Sequence, residues 1–355
     1  MTAARLLKTL HRARPSVWRR SFANIVNIPK FLNEFKDSLK PPVSNKMIFN
    51  GEQLKVMVVG GPNQRDDFHV EKGEELFIQL KGAMELHVIE ESQRKKVDIG
   101  QQQIYALPKL VPHSPQRFLN TIGIVVERAR NESELDQLQW YHPKSGEKIY
   151  EESFHCVDLG TQLKPVIERF NQSQTFKENF VEAAGTPRRT VSNAVTYGTT
   201  HELIDIRSRA IANQEIHSLS RSYNKFFGKE FEVISIGASS RPNEKGVQSY
   251  TVPTNCTEVL IYQEFGQAEI QMVSDDKQPT DKEQHLPILL KEGDLALLTV
   301  DTTTQARVLV NPRPYLYTAT TNEASSSPSP EAHLLVITNN GFRPCVKQPP
   351  AAPIA

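Results

Sequence analysis

Between Phe49 and Glu127 the chain is a succession of short apolar runs, each stopped by glycine, proline or a charged turn, and that cadence suits a sandwich or barrel of strands. Leu54–Val59 ends at Gly60-Gly61-Pro62-Asn63, and Leu76–Leu80 ends at Lys81-Gly82. Met84–Ile89 follows with apolar and polar residues alternating at period two, the mark of a half-exposed strand. Ile104–Leu107 is closed by Pro108 and continued through Val111-Pro112-His113, and Ile122–Val126 runs into Glu127. Six or more strands with tight connections in about eighty residues point to an eight-stranded double-sheet jelly roll.

Residues 131 to about 215 differ in kind. Leu135, Leu138, Leu159, Leu163, Val166, Ile167 and Phe170 fall at helix-like spacing, and the segment GTQLKPVIERF predicts an amphipathic helix in spite of its internal Pro165. Beyond Phe180 the text is turn-rich and predicts a linker. A second β-rich region begins near Phe231, where Glu258, an apolar strand, Gly266 and a further alternating strand echo Glu75, strand, Gly82, strand. No histidine stands before Glu258 as His69 stands before Glu75, and His217, His285 and His333 have no ligand spacing. This second copy is expected to cover the first or to replace a dimer partner. Ser325–Pro330 and the last residues, QPPAAPIA, are expected to be solvated.

Charge narrows the classes of partner. A net charge of +1 gives no electrostatic case for nucleic acid, and no apolar run approaches the roughly eighteen residues of a membrane span. Cys156, Cys256 and Cys345 form no CxxC pair, which predicts neither a zinc knuckle nor a disulfide framework. The first thirty-three residues carry Arg5, Lys8, Arg12, Arg14, Arg19, Arg20 and Lys30 and no acidic residue before Glu34, the composition of a transit peptide. Leu6, Leu7 and Leu10 would share one helical face, and Arg20-Ser21-Phe22-Ala23 has the form of a processing site; a disordered basic extension is the alternative. Either way this stretch is expected outside the fold.

The chemistry concentrates in RDDFHVEKGEE, Arg65 to Glu75, where His69 and Glu75 flank one charged turn. With His113, in VPHSPQRF, they would make two imidazoles and one carboxylate, a set that leaves coordination positions open for oxygen chemistry on iron(II). Three further charges need an account. Glu127 ends a strand, and Arg117 lies four residues after His113, on the same face of an extended chain. They could form a structural ion pair, with Arg65 a solvated loop charge, or line the metal site, with arginine offering a bidentate fork to a substrate carboxylate. Arg128 and Arg130, just beyond, are expected to be exposed.

Gly61, His69, Glu75 and Gly82, then Gly100, Pro108 and His113, resemble the two signature motifs of the cupin superfamily, with Asp67 where many members have a further histidine and Leu110 in place of a glycine. The strings LKVMVVGGPNQRDDFHVEKGEELFIQLKG, LPKLVPHSPQRFLNTIGIVVER and CVDLGTQLKPVI are more specific: from about Pro41 through Phe170 the chain is similar to the 3-hydroxyanthranilate 3,4-dioxygenase family in its animal-type, single-chain, two-cupin form. The resemblance implies a mainly β protein of two jelly-roll (cupin) β-barrel domains with a partly helical connecting segment. The expected divisions are a basic extension over 1–33, a catalytic cupin over 34–180, a linker over 181–215, a degenerate second cupin over 216–343 and a flexible tail over 344–355.

By the same resemblance His69, Glu75 and His113 would hold Fe(II), Arg117 would pair with the carboxylate of 3-hydroxyanthranilate, Glu127 would hydrogen-bond its ring substituents, and Arg65 would sit over dioxygen. The activity implied is ring opening by O2 to 2-amino-3-carboxymuconate semialdehyde, which cyclises to quinolinate on the route from tryptophan to NAD. A metal-dependent cupin isomerase and a non-catalytic cupin binding protein remain as alternatives. The second cupin suggests a monomer, charge and hydropathy argue against nucleic-acid and membrane partners, and the resemblance implies the cytoplasm, against the mitochondrial reading of the N-terminus.

Overall fold

The apolar runs fold as strands whose alternate side chains are buried on opposite sides. In a computed structural model of the protein the residues described are 23–39, 44–63, 65–90, 92–143, 145–180, 204–205, 217–218, 230–238, 247–274, 286–300, 305–313 and 332–339. They open with β1 (Ala23–Asn27) and α1 (Ile28–Phe35). The first β unit comprises β2 (Asn45–Asn50), β3 (Leu54–Gly60), β4 (Phe68–Val70), β5 (Glu75–Lys81), β6 (Met84–Glu90), β7 (Gln93–Ile99), β8 (Gln103–Leu107), β9 (His113–Arg117), β10 (Ile122–Arg128), β11 (Asp136–Tyr141) and β12 (Lys148–Phe154). After α2 (Leu159–Gln172) and α3 (Gln174–Phe180) come β13 (Ile204–Asp205), β14 (His217–Ser218), β15 (Phe231–Ala238), β16 (Gln248–Thr251), β17 (Glu258–Ser274), β18 (Ile288–Lys291), β19 (Asp294–Thr299), β20 (Ala306–Arg313) and β21 (Ala332–Asn339).

The protein is mainly β, built as jelly rolls. In the first unit two six-stranded antiparallel sheets face each other, ordered β13-β8-β5-β10-β3-β2 and β12-β11-β4-β9-β6-β7. In the second unit the seventeen-residue β17 serves both layers: its first half pairs with β19 and β21, its second half with β18 and β20. The echo read between the halves has a common backbone cause. Gly82 at φ +67° ends β5 and Gly266 at φ +70° bends β17, a conformation that a side chain disfavours.

Alternation along β5 and β10 sets the architecture. Leu76, Ile78, Ile124 and Val126 pack against Leu260, Leu297, Leu335 and Ile337 of the second unit in one apolar layer, while Phe77 and Val125 face the interior of the first roll with Met57 and Leu107. The sheet is therefore buried on both faces.

Polar clasps close this seam. Glu258 stands where the echo would put a counterpart of Glu75, and its carboxylate accepts from the backbone N–H of Glu52 (2.8 Å), Gln53 (3.0 Å) and Leu54 (2.8 Å). Gln53 returns the contact, its Oε1 accepting from Thr257 N at 3.0 Å. Gly51 is required beside it, since a Cβ there would lie 2.3 Å from Glu258 Oε2. Glu258→Ala would strand three backbone donors, two of them on fully buried residues. A loss of about 3 kcal/mol is expected at a cost of roughly 1–3 kcal/mol per orphaned group; urea unfolding measures it, and an unchanged midpoint would mean that the carboxylate does not hold the seam.

Several sequence expectations are corrected. Residues 23–33 are not outside the fold: β1 pairs antiparallel with β19, Ala23 opposite Leu298, and Ile28 is buried in the layer between the units. The spacing of Leu135 and Leu138 predicts helix, but 136–141 is strand β11, in which Leu138 and Trp140 alternate inward at period two. Arg128 is buried, donating from both Nη atoms to Glu134 (2.7 Å each) and from Nε to Glu230 (3.2 Å). Within the stretch read as a linker, Ile204 and Asp205 extend a sheet by pairing with Ile104 and Gln103.

The helix expected over 160–170 forms as α2, capped by the Asp158 carboxylate on Gly160 N, and its Phe170 stacks on Trp140 with centroids 4.1 Å apart. Cys156 and Cys256 are buried thiols. The processing site up to Phe22, the basic residues before it, Ser325–Pro330, Cys345 and the tail 344–355 lie outside the described residues. Among the described residues no helix is long and apolar enough to cross a membrane.

Candidate metal centre

Two cross-strand pairs, one from each sheet of the first roll, build the site. His69 of β4 and His113 of β9 are register partners with ring centroids 5.2 Å apart. Opposite them Glu75 of β5 and Glu127 of β10 are register partners in the other sheet. The turn after β4 and the inward phase of β5 thus bring His69, Glu75 and His113 together, and all three are buried.

Hydrogen bonds outside the group decide which ring nitrogens face it. His113 Nδ1 lies 3.0 Å from the Val111 carbonyl, which only accepts, so this nitrogen carries a proton and Nε2 is the one turned to the group. His113 Nε2 lies 2.9 Å from Glu75 Oε1. His69 directs Nε2 at Asp136 Oδ2 (2.8 Å), leaving Nδ1 3.6 Å from the same Glu75 oxygen. Two imidazole nitrogens and one carboxylate oxygen therefore converge, ligand atoms that a cation could bridge once it displaced their protons.

Around them lie further buried charges: the carboxylates of Glu71, Glu127 and Asp136 are bound by the Arg130 guanidinium. Burial lowers the affinity of His69 for a proton, but hydrogen bonds to Asp136 and Glu75 outweigh it and raise the group to about 9. Burial raises Glu75, and the histidines overcome that and lower it. Other triads, His69-Glu71-Asp136 and Glu71-Glu75-Glu127, also gather donors, but each includes carboxylates already bound to Arg130.

Beside the group opens a cavity whose walls include Arg65, Arg117 and Glu127. Phe77, Val125, Leu159 and Leu163 line its apolar side. Arg117 is 3% exposed, and among the described residues no carboxylate lies within ion-pair distance of it; its Nη1 meets Gln79 Oε1 at 3.3 Å. Burial pushes its pKa down to about 9 against the pull of Glu75. It is a buried cation that an anionic ligand would satisfy.

The ion pair between Arg117 and Glu127 entertained from sequence does not form. Glu127 Oε2 accepts from Arg130 Nη1 at 2.5 Å, while Oε1 has no donor among the described residues and the residue lines the cavity. Burial raises the Glu127 carboxyl, with Arg130 pulling the other way. Arg65 is no solvated loop charge: its side chain is 11% exposed, lines the cavity, and grips Asp67 through Nε (3.0 Å) and Nη2.

Sequence reasoning missed several groups. Arg130, expected to be exposed, is buried among Glu71, Glu127 and Asp136. Asp136 was hidden in a stretch read as helical. Ser44 Oγ, Asn45 Oδ1 and Asn63 Oδ1 also lack hydrogen-bond partners among the described residues, and all three residues line the cavity. The first two precede the earliest apolar run, and nothing in their neighbourhood signals a site; Asn63 follows a turn and carries no other mark.

Comparison with known proteins gives a consistent picture. The family model described as 3-hydroxyanthranilic acid dioxygenase matches residues 21–171. The 3-hydroxyanthranilate 3,4-dioxygenase of Mus musculus is 50% identical over 152 residues, 43% of this chain and 53% of that protein. That of Neurospora crassa is 41% identical over 166 residues, 46% of this chain and 92% of that protein. The chain thus spans about half the length of the mammalian relative it matches and almost all of the fungal one. A solved variant of Bacillus subtilis oxalate decarboxylase is a more distant likeness, with TM-score 0.47 at 12% identity over 86% of this chain and 75% of that one.

Proposed function

Because this chain belongs to the 3-hydroxyanthranilic acid dioxygenase family, we propose that it opens the aromatic ring of 3-hydroxyanthranilate with O2, using Fe(II) held by His69, Glu75 and His113. The observation that carries the reading is the coincidence, in one cavity, of three converging ligand atoms with a buried guanidinium that has no carboxylate partner among the described residues. The product is 2-amino-3-carboxymuconate semialdehyde, which closes to quinolinate. Bound iron supplies the redox chemistry that lets O2 react with the ring.

The chain's own residues do the rest. Arg117 takes the substrate carboxylate in its fork, fixing the ring and answering its own burial. Glu127, anchored through Oε2, turns Oε1 to the hydroxyl and amino substituents and accepts a proton there. Arg65, held by Asp67, presents positive charge to oxygen on the cavity's other side. Phe77, Val125, Leu159 and Leu163 exclude water from the ring.

The test is to load the protein anaerobically with Fe(II), add 3-hydroxyanthranilate and admit air. Stoichiometric O2 uptake with growth of the semialdehyde absorbance is expected. Turnover without O2 uptake would indicate a cupin isomerase, and no turnover a binding protein.

The protein is further proposed to act as a monomer, because the second unit covers the outer apolar face of the catalytic sheet. Its proposed compartment is the cytosol, by family resemblance, with mitochondria the alternative from the basic N-terminus. Imaging the full chain beside one starting at Asn24 separates them: mitochondrial signal confined to the full chain would overturn the cytosolic reading.

A further inference from the structure

One guanidinium touches both functional halves of the site. Arg130 Nε and Nη2 grip the two oxygens of Asp136 (3.0 and 2.7 Å) in a fork that fixes the carboxylate plane. The Asp136 oxygen so held, Oδ2, also meets His69 Nε2 at 2.8 Å, so it sets which His69 nitrogen faces Glu75 and at what angle. Nη1 of the same arginine binds Glu127 Oε2 at 2.5 Å, leaving Oε1 without a hydrogen-bond partner among the described residues. A last contact, from Nη2 to Glu71 at 2.5 Å, touches neither Asp136 nor Glu127. The Arg130 side chain is 5% exposed and Asp136 is fully buried.

We propose that Arg130 is a positioning residue with two outputs: through Asp136 it orients the ring of His69 toward the metal, and directly it aims the free oxygen of Glu127 into the cavity. The second output rests on the dioxygenase reading, whereas the first requires only that His69 bind a metal. A lysine at 130 keeps the charge among the carboxylates but presents one ammonium point, which cannot grip Asp136 at both oxygens and reach Glu127 as well. Arg130→Lys therefore separates position from charge.

Four variants and two readouts test this. Affinity for Co(II), used as a spectroscopic probe, is measured by its visible absorption without substrate. The constants kcat and KM are measured with 3-hydroxyanthranilate at saturating Fe(II). Asp136→Asn is expected to weaken Co(II) binding about 10–100-fold, the usual effect of losing a partner behind a ligand, with kcat at saturating Fe(II) largely kept. Glu127→Gln should do the opposite, lowering kcat about 100-fold, the lower bound of a proton-handling role, with Co(II) affinity unchanged.

Arg130→Lys should do both, with KM changed by less than about threefold because the Arg117 fork that takes the carboxylate is untouched. Glu71→Gln should do neither. A structural ion pair alone would lower the melting temperature of Arg130→Lys and leave Co(II) affinity and kcat at wild-type values, which would overturn the proposal. So would a Glu71→Gln variant as impaired as Arg130→Lys, since the cluster would then act by diffuse charge. If Arg130→Lys does not fold, Asp136→Asn with unaltered Co(II) affinity still refutes the first output. If the wild-type protein shows no turnover, the dioxygenase reading fails while the Co(II) measurements still decide the His69 output.

Discussion

Replacing His113 by alanine is expected to weaken metal binding by more than about a hundredfold, beyond the roughly 10–100-fold typical of losing a supporting partner, because it removes a donor itself. The remaining two, Glu75 Oε1 and His69 Nδ1, are 3.6 Å apart and cannot by themselves surround a cation. The ring also packs edge-on against Phe77 at 6.2 Å, so a volume effect has to be separated from a ligand effect. His113→Gln, nearer in size, provides that control and should lose metal similarly, since its flexible amide is a poor substitute for a fixed imidazole nitrogen. Metal analysis after gel filtration is the measurement, and stoichiometric metal in His113→Ala would remove the residue from the ligand set.

The second large effect belongs to Arg117. Arg117→Ala is expected to lower kcat/KM for 3-hydroxyanthranilate by roughly 10⁴-fold, about 5 kcal/mol, mostly through KM, with metal content unchanged. Physical chemistry gives this variant an unusual companion result. Arg117 is buried without an ion-pair partner among the described residues and its pKa is pushed down to about 9, so the folded state already carries the cost of that charge. Arg117→Met should therefore melt no lower than wild type in the absence of substrate, whereas a structural arginine would lower the melting temperature on removal. Equal loss of metal and substrate affinity would assign Arg117 to the scaffold instead.

What was legible in the sequence follows from range of interaction. The strands of the first roll announce themselves through alternation or continuous apolar runs, and His69, Glu75, His113, Arg117 and Glu127 stand in or at the ends of four of them, so a candidate site could be named by position. Strand β11 was not legible because Leu135 and Leu138 join later leucines in a spacing that mimics a helix, while the inward pair Leu138 and Trp140 is too short a pattern to compete. Arg130 was not legible because a charge past the end of a strand is ordinarily solvated. Its burial depends on Glu71, 59 residues earlier, and on Asp136, in a strand that the local pattern concealed. The place of residues 23–27 was likewise invisible, since it depends on an edge strand near residue 298.

The two-sided burial of β5 also bears on how freely this protein can drift. A strand with a wet face usually has positions where substitutions pass unnoticed, but the first five residues of β5, Glu75 to Gln79, are all buried. Glu75 and Phe77 answer to the chamber, Leu76 and Ile78 to the seam with the second unit, and Gln79 to Arg117. Just before the strand, Glu74 exchanges backbone contacts with Glu230 across the seam, its N–H donating to Glu230 Oε2 at 3.0 Å and its own carboxylate accepting from Glu230 N at 3.2 Å. No position there is neutral ground: a change that relieves one side is felt on the other, and the two halves of the chain can diverge at this strand only together.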